Sequence, residues 1–348
     1  MKTYKYIHIF PNEKFINSFV ETIDLNFNIE EHFFIYLEGK SIKEFPINFR
    51  DNNLIILSFK EFFIKRNTIQ NKVEKSNKIF IHGFYKWYFI LFLNLQNNIL
   101  PKSYWIMWGS DLYEFNKNSI FDKLKTFFRK NSIKKIGNLV TYIEGDYELA
   151  KKWYGAIGNY HECFMYPSNL YKKYEIKEKK HTTINIQVGN SADSSNNHLK
   201  VFEKLKKYKD EDINIFVPLS YGDEKYAQDV ILKGQELFGG KFKPMTDFMP
   251  FDKYLEFLGE IDIAIFAHRR QQAMGNIITL LGLGKKIYMQ NDITPWKLFK
   301  DINVKVFDFD DIEIDLIDNN VKKENQQKIK KYFSKKNYLK QLKQLFKS

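Results

Sequence analysis

Short β-branched and aromatic runs alternate with segments of helical spacing along almost the whole chain, and this alternation restricts the fold more than any other feature. The runs fall at residues 4–10, 33–37, 54–59, 78–81, 104–108, 139–143 and 163–166, with helical patterns at 61–73, 85–95, 120–131 and 146–154 between them. Such a series predicts parallel sheets covered by helices. Around 167–181 the pattern lapses into Pro167-Ser168-Asn169 and a charged stretch that reads as a linker. A second series follows, with strands at 183–188, 213–218, 242–245, 261–266 and 286–290 and helices at 197–208, 224–237, 251–258 and 274–281. At 348 residues, two cores are expected rather than one. The expected division is a first domain over 1–170, a linker over 171–182, a second domain over 183–320 and a basic C-terminal helix over 321–348.

Charge and cysteine content exclude several classes. A single cysteine, Cys163, rules out a disulfide framework and fits a reducing compartment. The N-terminus has no secretory pattern, and the longest apolar run, 87–93, is too short to span a bilayer, so a cytoplasmic protein is expected. Of the formal +13, residues 321–348 carry ten lysines against one acid, Glu324. The basic character therefore belongs to one terminal element, unlike the basic face interleaved with aromatics that nucleic-acid binding requires.

In parallel sheets, ligands bind beyond the carboxyl ends of the strands, so the loops there are the candidate sites. His82-Gly83 follows one strand, placing an imidazole behind a turn glycine. Trp108-Gly109-Ser110-Asp111-Leu112-Tyr113 follows the next, with Asp111 either a base or a helix cap. Glu144-Gly145-Asp146 adds Glu144 as a base or hydroxyl acceptor, with Asp146 read as a cap. In the second half, Gly189-Asn190-Ser191-Ala192-Asp193-Ser194-Ser195-Asn196 leads from a strand into a helix, a pattern suited to an anion but shared with ordinary capped turns. The loop His268-Arg269-Arg270-Gln271-Gln272-Ala273-Met274-Gly275-Asn276 holds two of only five arginines, forked donors suited to a diphosphate. Gln271, Gln272 and Asn276 suit sugar or base hydroxyls, and Gly275 permits close backbone approach.

Two parallel-sheet domains with a closing helix have the outline of a GT-B glycosyltransferase, and the loops carry the resemblance further. His82-Gly83, Trp108-Gly109-Ser110-Asp111-Leu112-Tyr113, Val188 to Asn196, Val217 to Gly222, Pro250 to Leu255 and Arg270-Gln271-Gln272-Ala273-Met274-Gly275 occur in the order found in glycosyltransferase family 56. The family typically has W-G-G-D-L-Y, V-G-N-S-G-D-P-S-N and R-Q-Q-x-x-G at the corresponding places. The chain resembles these TDP-4-acetamido-4,6-dideoxygalactose:lipid II transferases of enterobacterial common antigen synthesis, also catalogued as 4-alpha-L-fucosyltransferases. It departs at Ser110, Ala192 and Ser194, and residues 1–70 and the tail carry little of the likeness.

The resemblance implies two Rossmann-like domains facing a cleft. A nucleotide-sugar donor would be held by Gly189, Asn190, Ser191, Asp193, Asn196, Arg269, Arg270, Gln271, Gln272, Gly275 and Asn276. A polyprenyl-diphosphate-linked acceptor would approach Trp108, Gly109, Ser110 and Tyr113, with Asp111, His82 and Glu144 as catalytic candidates. No cofactor and no metal are expected. Ile329, Tyr332, Phe333, Leu339, Leu342 and Phe346 recur at helical spacing among the lysines, so the tail either lies on anionic lipid at the inner face of the membrane or packs back on the first domain. The competing functions are a nucleotide-sugar epimerase, which would convert a nucleotide sugar without acceptor, and a basic nucleic-acid-binding protein.

Overall fold

A computed structural model describes residues 2–11, 13, 15–38, 53–116, 120–174, 179 and 182–347. It contains two compact units, Met1–Ser168 with Tyr338–Ser348, and Asn169–Asn337. Part of the expected linker, 175–178 and 180–181, lies outside the described residues, while Tyr171 belongs to the second unit and donates its N–H to Phe333 O at 2.9 Å.

The first unit is built on strands β1 (Tyr6–Pro11), β2 (His32–Leu37), β3 (Leu54–Leu57), β4 (Lys78–His82), β5 (Ser103–Ile106), β6 (Asn138–Val140) and β7 (Asn159–His161). They form one sheet in the order β3-β2-β1-β4-β5-β6-β7, with every pair parallel. The six residues of β2 are all buried, the continuous apolar run of a strand covered on both faces. The second unit has β8 (Ile184–Val188), β9 (Ile213–Pro218), β10 (Phe242–Met245), β11 (Ile263–Phe266), β12 (Lys286–Met289) and β13 (Phe307–Asp308), ordered β10-β9-β8-β11-β12-β13 and again parallel. Both units are thus Rossmann-like. Strand order reverses between β1 and β4 in one and between β8 and β11 in the other, and these switch points are where such sheets open a crevice.

The expected strand at 163–166 does not form. β7 ends at His161, and the backbone of 164–165 turns to the C-terminal helix instead: Phe164 N–H donates to Gln341 Oε1 at 3.3 Å, and Met165 O accepts from Tyr338 Oη at 3.0 Å. The helix expected over 61–73 is two, Phe59–Ile64 and Arg66–Lys75, meeting at Lys65. A further helix spans Ile16–Asn26, where Ile16, Phe19, Val20 and Ile23 have the spacing of a buried helical stripe.

The basic tail also differs from one helix. Asn319–Tyr332 belongs to the second unit, and of Lys335–Lys347 the residues from Tyr338 onward belong to the first; the break falls where Phe333 is fully buried and Ser334 Oγ caps the next helix by accepting Asn337 N–H at 3.2 Å. Of the two readings of its apolar face, lipid or packing back on the first domain, the part from Tyr338 onward follows the second, and the face is spent inside the protein. Ile329, Phe333, Leu342 and Phe346 are buried, with Leu339 and Tyr332 half-buried, which leaves mainly the lysines in water.

Candidate active site

In the first unit the loop after β5 is held by Asp111. The Asp111 side chain is 0 % exposed; Oδ2 accepts from Trp105 Nε1 at 2.7 Å and Phe84 N at 3.1 Å, and Oδ1 from Trp108 N at 2.9 Å. Burial raises its pKa, opposed by these three bonds and the nearby Arg129. A carboxylate closed off in this way braces the loop, and the base role expected of it has no route to a substrate hydroxyl in this geometry. Gly109, at φ +82°, makes the turn, and Ser110 Oγ is exposed to meet Tyr85 Oη at 2.6 Å. Tyr113 turns away to pack edge-on against Trp153.

His82 is likewise buried, inside a row of side chains crossing the sheet. Trp108 Nε1 donates to Tyr166 Oη at 2.9 Å, Tyr166 Oη meets His82 Nδ1, His82 Nε2 meets His8 Nδ1 at 3.2 Å, and His8 Nε2 meets His32 Nδ1 at 2.9 Å. With Trp108 donating, each group finds a partner when donation runs from Tyr166 through His82 and His8 to His32. Burial holds His8 and His82 well below the usual histidine pKa and lowers His32 to about 3, so the row is neutral near pH 7. His82 supports the half-buried Trp108 from beneath through Tyr166.

Of the three expected catalytic side chains, Glu144 alone is exposed, as the first residue of helix Glu144–Tyr154 behind β6. β6 stands three strands from β1, or ~14 Å along the sheet. Glu13, not among the expected site residues, follows β1 at the switch point, is half-buried, and exerts its field on Tyr85 and Lys86. The signal for it was an acid two residues beyond the end of an apolar strand.

In the second unit the loops after β8 and β11 meet at the switch point. Gly189 has φ +68°, and a Cβ there would lie 2.6 Å from His198 Nε2. Asn196 is fully buried and works within the loop: its Oδ1 accepts Asn190 N–H at 3.2 Å, and its Nδ2 donates to Ser191 O at 3.1 Å. Asn190 Nδ2 donates to Tyr221 Oη of the loop after β9 at 2.9 Å, and Ser195 Oγ donates to Gln272 Oε1 at 2.8 Å, tying the loops after β8 and β11 together. Asp193 caps the turn through Ser195 N at 2.9 Å; burial would raise its carboxyl, but the Ser195 hydrogen bonds and Arg270 bring it below the usual range.

Several polar groups at this rim have no partner among the described residues. Ala273, at φ +56°, precedes helix Met274–Gly282, whose first turn receives no side-chain cap and which carries Gly275 and Asn276 there, both half-buried. Arg270 is half-buried and makes no ion pair with any described residue, while Arg269 is exposed near Asp310. His268 Nε2 donates to Gln272 O at 3.0 Å; its Nδ1, together with Gln271 Oε1 and Gln290 Nε2, is buried without a hydrogen bond to a described residue. Burial and Arg270 lower His268 to about 4, so Nδ1 presents a lone pair at neutral pH. His268 and Gln290 close apolar strands and were not singled out, because strand residues at that position usually look like core.

Residues 12–348 match the profile of the family described as 4-alpha-L-fucosyltransferase, glycosyl transferase group 56. The chain belongs to glycosyltransferase family 56. It is an enzyme, a nucleotide-sugar-dependent hexosyltransferase. Its fold is GT-B, the fold it shares with solved structures of low identity. A glycosyltransferase from Rickettsia africae ESF-5 matches with TM-score 0.64 at 14% identity, over 100% of this chain and 98% of that one. Anabaena Alr3699/HepE in complex with UDP matches with TM-score 0.67 at 9%, over 99% of both chains. Sucrose-phosphate synthase of Thermosynechococcus elongatus matches with TM-score 0.63 at 9%, over 99% and 98%. In the family 56 chain no helix among the described residues is long and apolar enough to cross a membrane.

Proposed function

We propose that this transferase moves a 4-acetamido-4,6-dideoxygalactose or fucose-like sugar from a nucleoside diphosphate, TDP being the expected nucleotide, to a polyprenyl-diphosphate-linked saccharide at the inner face of the cell membrane. The reading of the donor site rests on the first turn of helix Met274–Gly282, which no described side chain caps, beside the half-buried Arg270, which pairs with no described carboxylate. Free backbone N–H groups, a helix dipole and a guanidinium fork converge there, which favours a diphosphate. The same groups neutralise the diphosphate as the sugar C1–O bond breaks, a preorganised electrostatic role. Gln271, Gln290 and the His268 lone pair are placed to bind hydroxyls or base edges, and Gly189 lets the backbone approach closely. In the first unit Glu13 takes the proton of the attacking hydroxyl, Trp108 and Ser110 receive the acceptor, and Asp111 and His82 hold that loop in shape.

Calorimetry with TDP, UDP and GDP tests the donor half. Arg270→Ala is expected to weaken binding by about ten- to a hundredfold, the loss of one charge-assisted fork. Stronger binding of UDP or GDP would change the donor. Absence of any nucleotide binding, or equal binding by the variant, would overturn the assignment.

A further inference from the structure

Helix Trp87–Leu95 of the first unit is apolar on every side except Asn94, a composition that belongs inside a core. Yet Trp87 is 46 % exposed and Leu95 74 %. Trp87 meets the Phe59 ring at 5.7 Å between centroids, and Phe59, 50 % exposed, meets Phe63 at 5.1 Å. On its other side Trp87, with Ile90 and Leu91, forms an open apolar groove of about 310 Å³ against Leu124 and Phe128 of helix Ile120–Lys135. Leu124 and the adjacent Phe127 are again outward-facing. A continuous aromatic and aliphatic stripe therefore runs over three helices, a surface that calls for a partner.

The charges around it select the partner. Across residues 56–66, 86–95 and 123–130 there are eight cations and one acid, Glu61, tied to Ser58 in a capping box, while Glu13 and Glu38 act on Lys86 from outside these segments. Of the cations only Arg129 is buried, beside Glu114 at 3.8 Å. Lys60, Lys65 and Arg66 flank one end of the stripe, and Lys123, Lys125 and Lys130 the other. Lysines are depleted at protein–protein interfaces, whereas aromatic residues rimmed by lysines suit the boundary between anionic headgroups and acyl chains. We infer that this three-helix face, rather than the C-terminal lysines, seats the protein on an anionic phospholipid bilayer, with Trp87, Phe59 and Leu124 entering the acyl boundary and the groove taking part of an acyl chain.

Flotation of the full chain with phosphatidylcholine vesicles, with and without phosphatidylglycerol, tests this and needs no nucleotide, so it is separate from sugar transfer. Binding is expected only with phosphatidylglycerol and is expected to weaken as salt rises. The triple variant Trp87→Gln, Leu124→Gln, Phe127→Gln should bind at least about tenfold more weakly, while Lys336→Gln, Lys340→Gln, Lys343→Gln should change binding less than about threefold. A second readout avoids the triple variant altogether: brominated phosphatidylglycerol should quench emission of the wild type and quench Trp87→Phe much less. Failure of the wild type to float, loss of binding confined to the lysine variant, equal quenching of the two proteins, or a dimer in solution that the triple variant dissociates would each overturn the inference.

Discussion

Asp111 shows how one side chain can look catalytic in a sequence and be structural in a fold. Three N–H groups converge on its carboxylate from Phe84, Trp105 and Trp108, so Asp111→Asn places an amide where an acceptor is needed and leaves a donor unpaired. The expected result is a loss of about 2–3 kcal/mol of stability, read as a lower denaturant midpoint at unchanged m-value. Glu13→Gln should behave oppositely. Glu13 is half-buried beyond β1, and as it is the proposed base its replacement should lower kcat about a hundredfold or more while donor affinity stays near wild type and the unfolding midpoint moves less than in Asp111→Asn. A variant with wild-type kcat would remove Glu13 from the chemistry.

At the scale of elements, the terminal helix Lys335–Lys347 packs into the first unit's core from Tyr338 onward. Phe346 packs against Tyr6 and His32 at 5.1 Å each, its carbonyl accepts from Tyr6 Oη at 2.9 Å, and Lys78 Nζ donates to Leu345 O at 2.9 Å, closing the helix's C-terminal end with a cation. Phe346→Ala is expected to cost about 3–5 kcal/mol, measured by denaturant unfolding. A cost below about 1 kcal/mol would mean that the helix docks loosely. The break before it follows from the Phe333-Ser334 pair, in which a buried ring is followed by a cap, and Ser334→Ala should cost about 1 kcal/mol.

The whole molecule carries its histidines in a form that ties stability to pH. His8, His32, His82, His198 and His268 are all buried, and burial lowers each pKa, His32 to about 3 and His198 and His268 to about 4. Below an unfolded-chain pKa near 6.5 the unfolded state takes up protons that the folded state refuses, so stability falls as pH drops through that value and is fully present above it. Each imidazole contributes about 1.4 kcal/mol of loss by one unit below 6.5. Thermal midpoints measured between pH 7.5 and 5 should fall steeply, and His32→Gln should reduce the slope by about one proton's worth. A flat profile would mean that the buried row accepts protons.

Two parallel-sheet units and most of their strands were legible in the sequence, all but the short β7 and β13, because buried parallel strands are continuous apolar runs and the loops beyond them need glycine and small polar residues. Gly83, Gly109 and Gly189, for instance, all adopt positive φ immediately beyond or just after a strand. Sequence alone did not separate the residues that face solvent from those that brace. Asp111 and Asn196 are buried with their polar atoms satisfied, His268 and Gln290 are buried with a polar atom that no described residue bonds, and Glu13 stays half-buried beyond β1, and nothing in their local pattern distinguishes these outcomes. Periodicity also identified the tail as amphipathic without saying what covers it. Which apolar face ends up in water, that of the tail or that of Phe59, Trp87 and Leu124, depends on which surfaces meet across hundreds of residues, and only packing decides that.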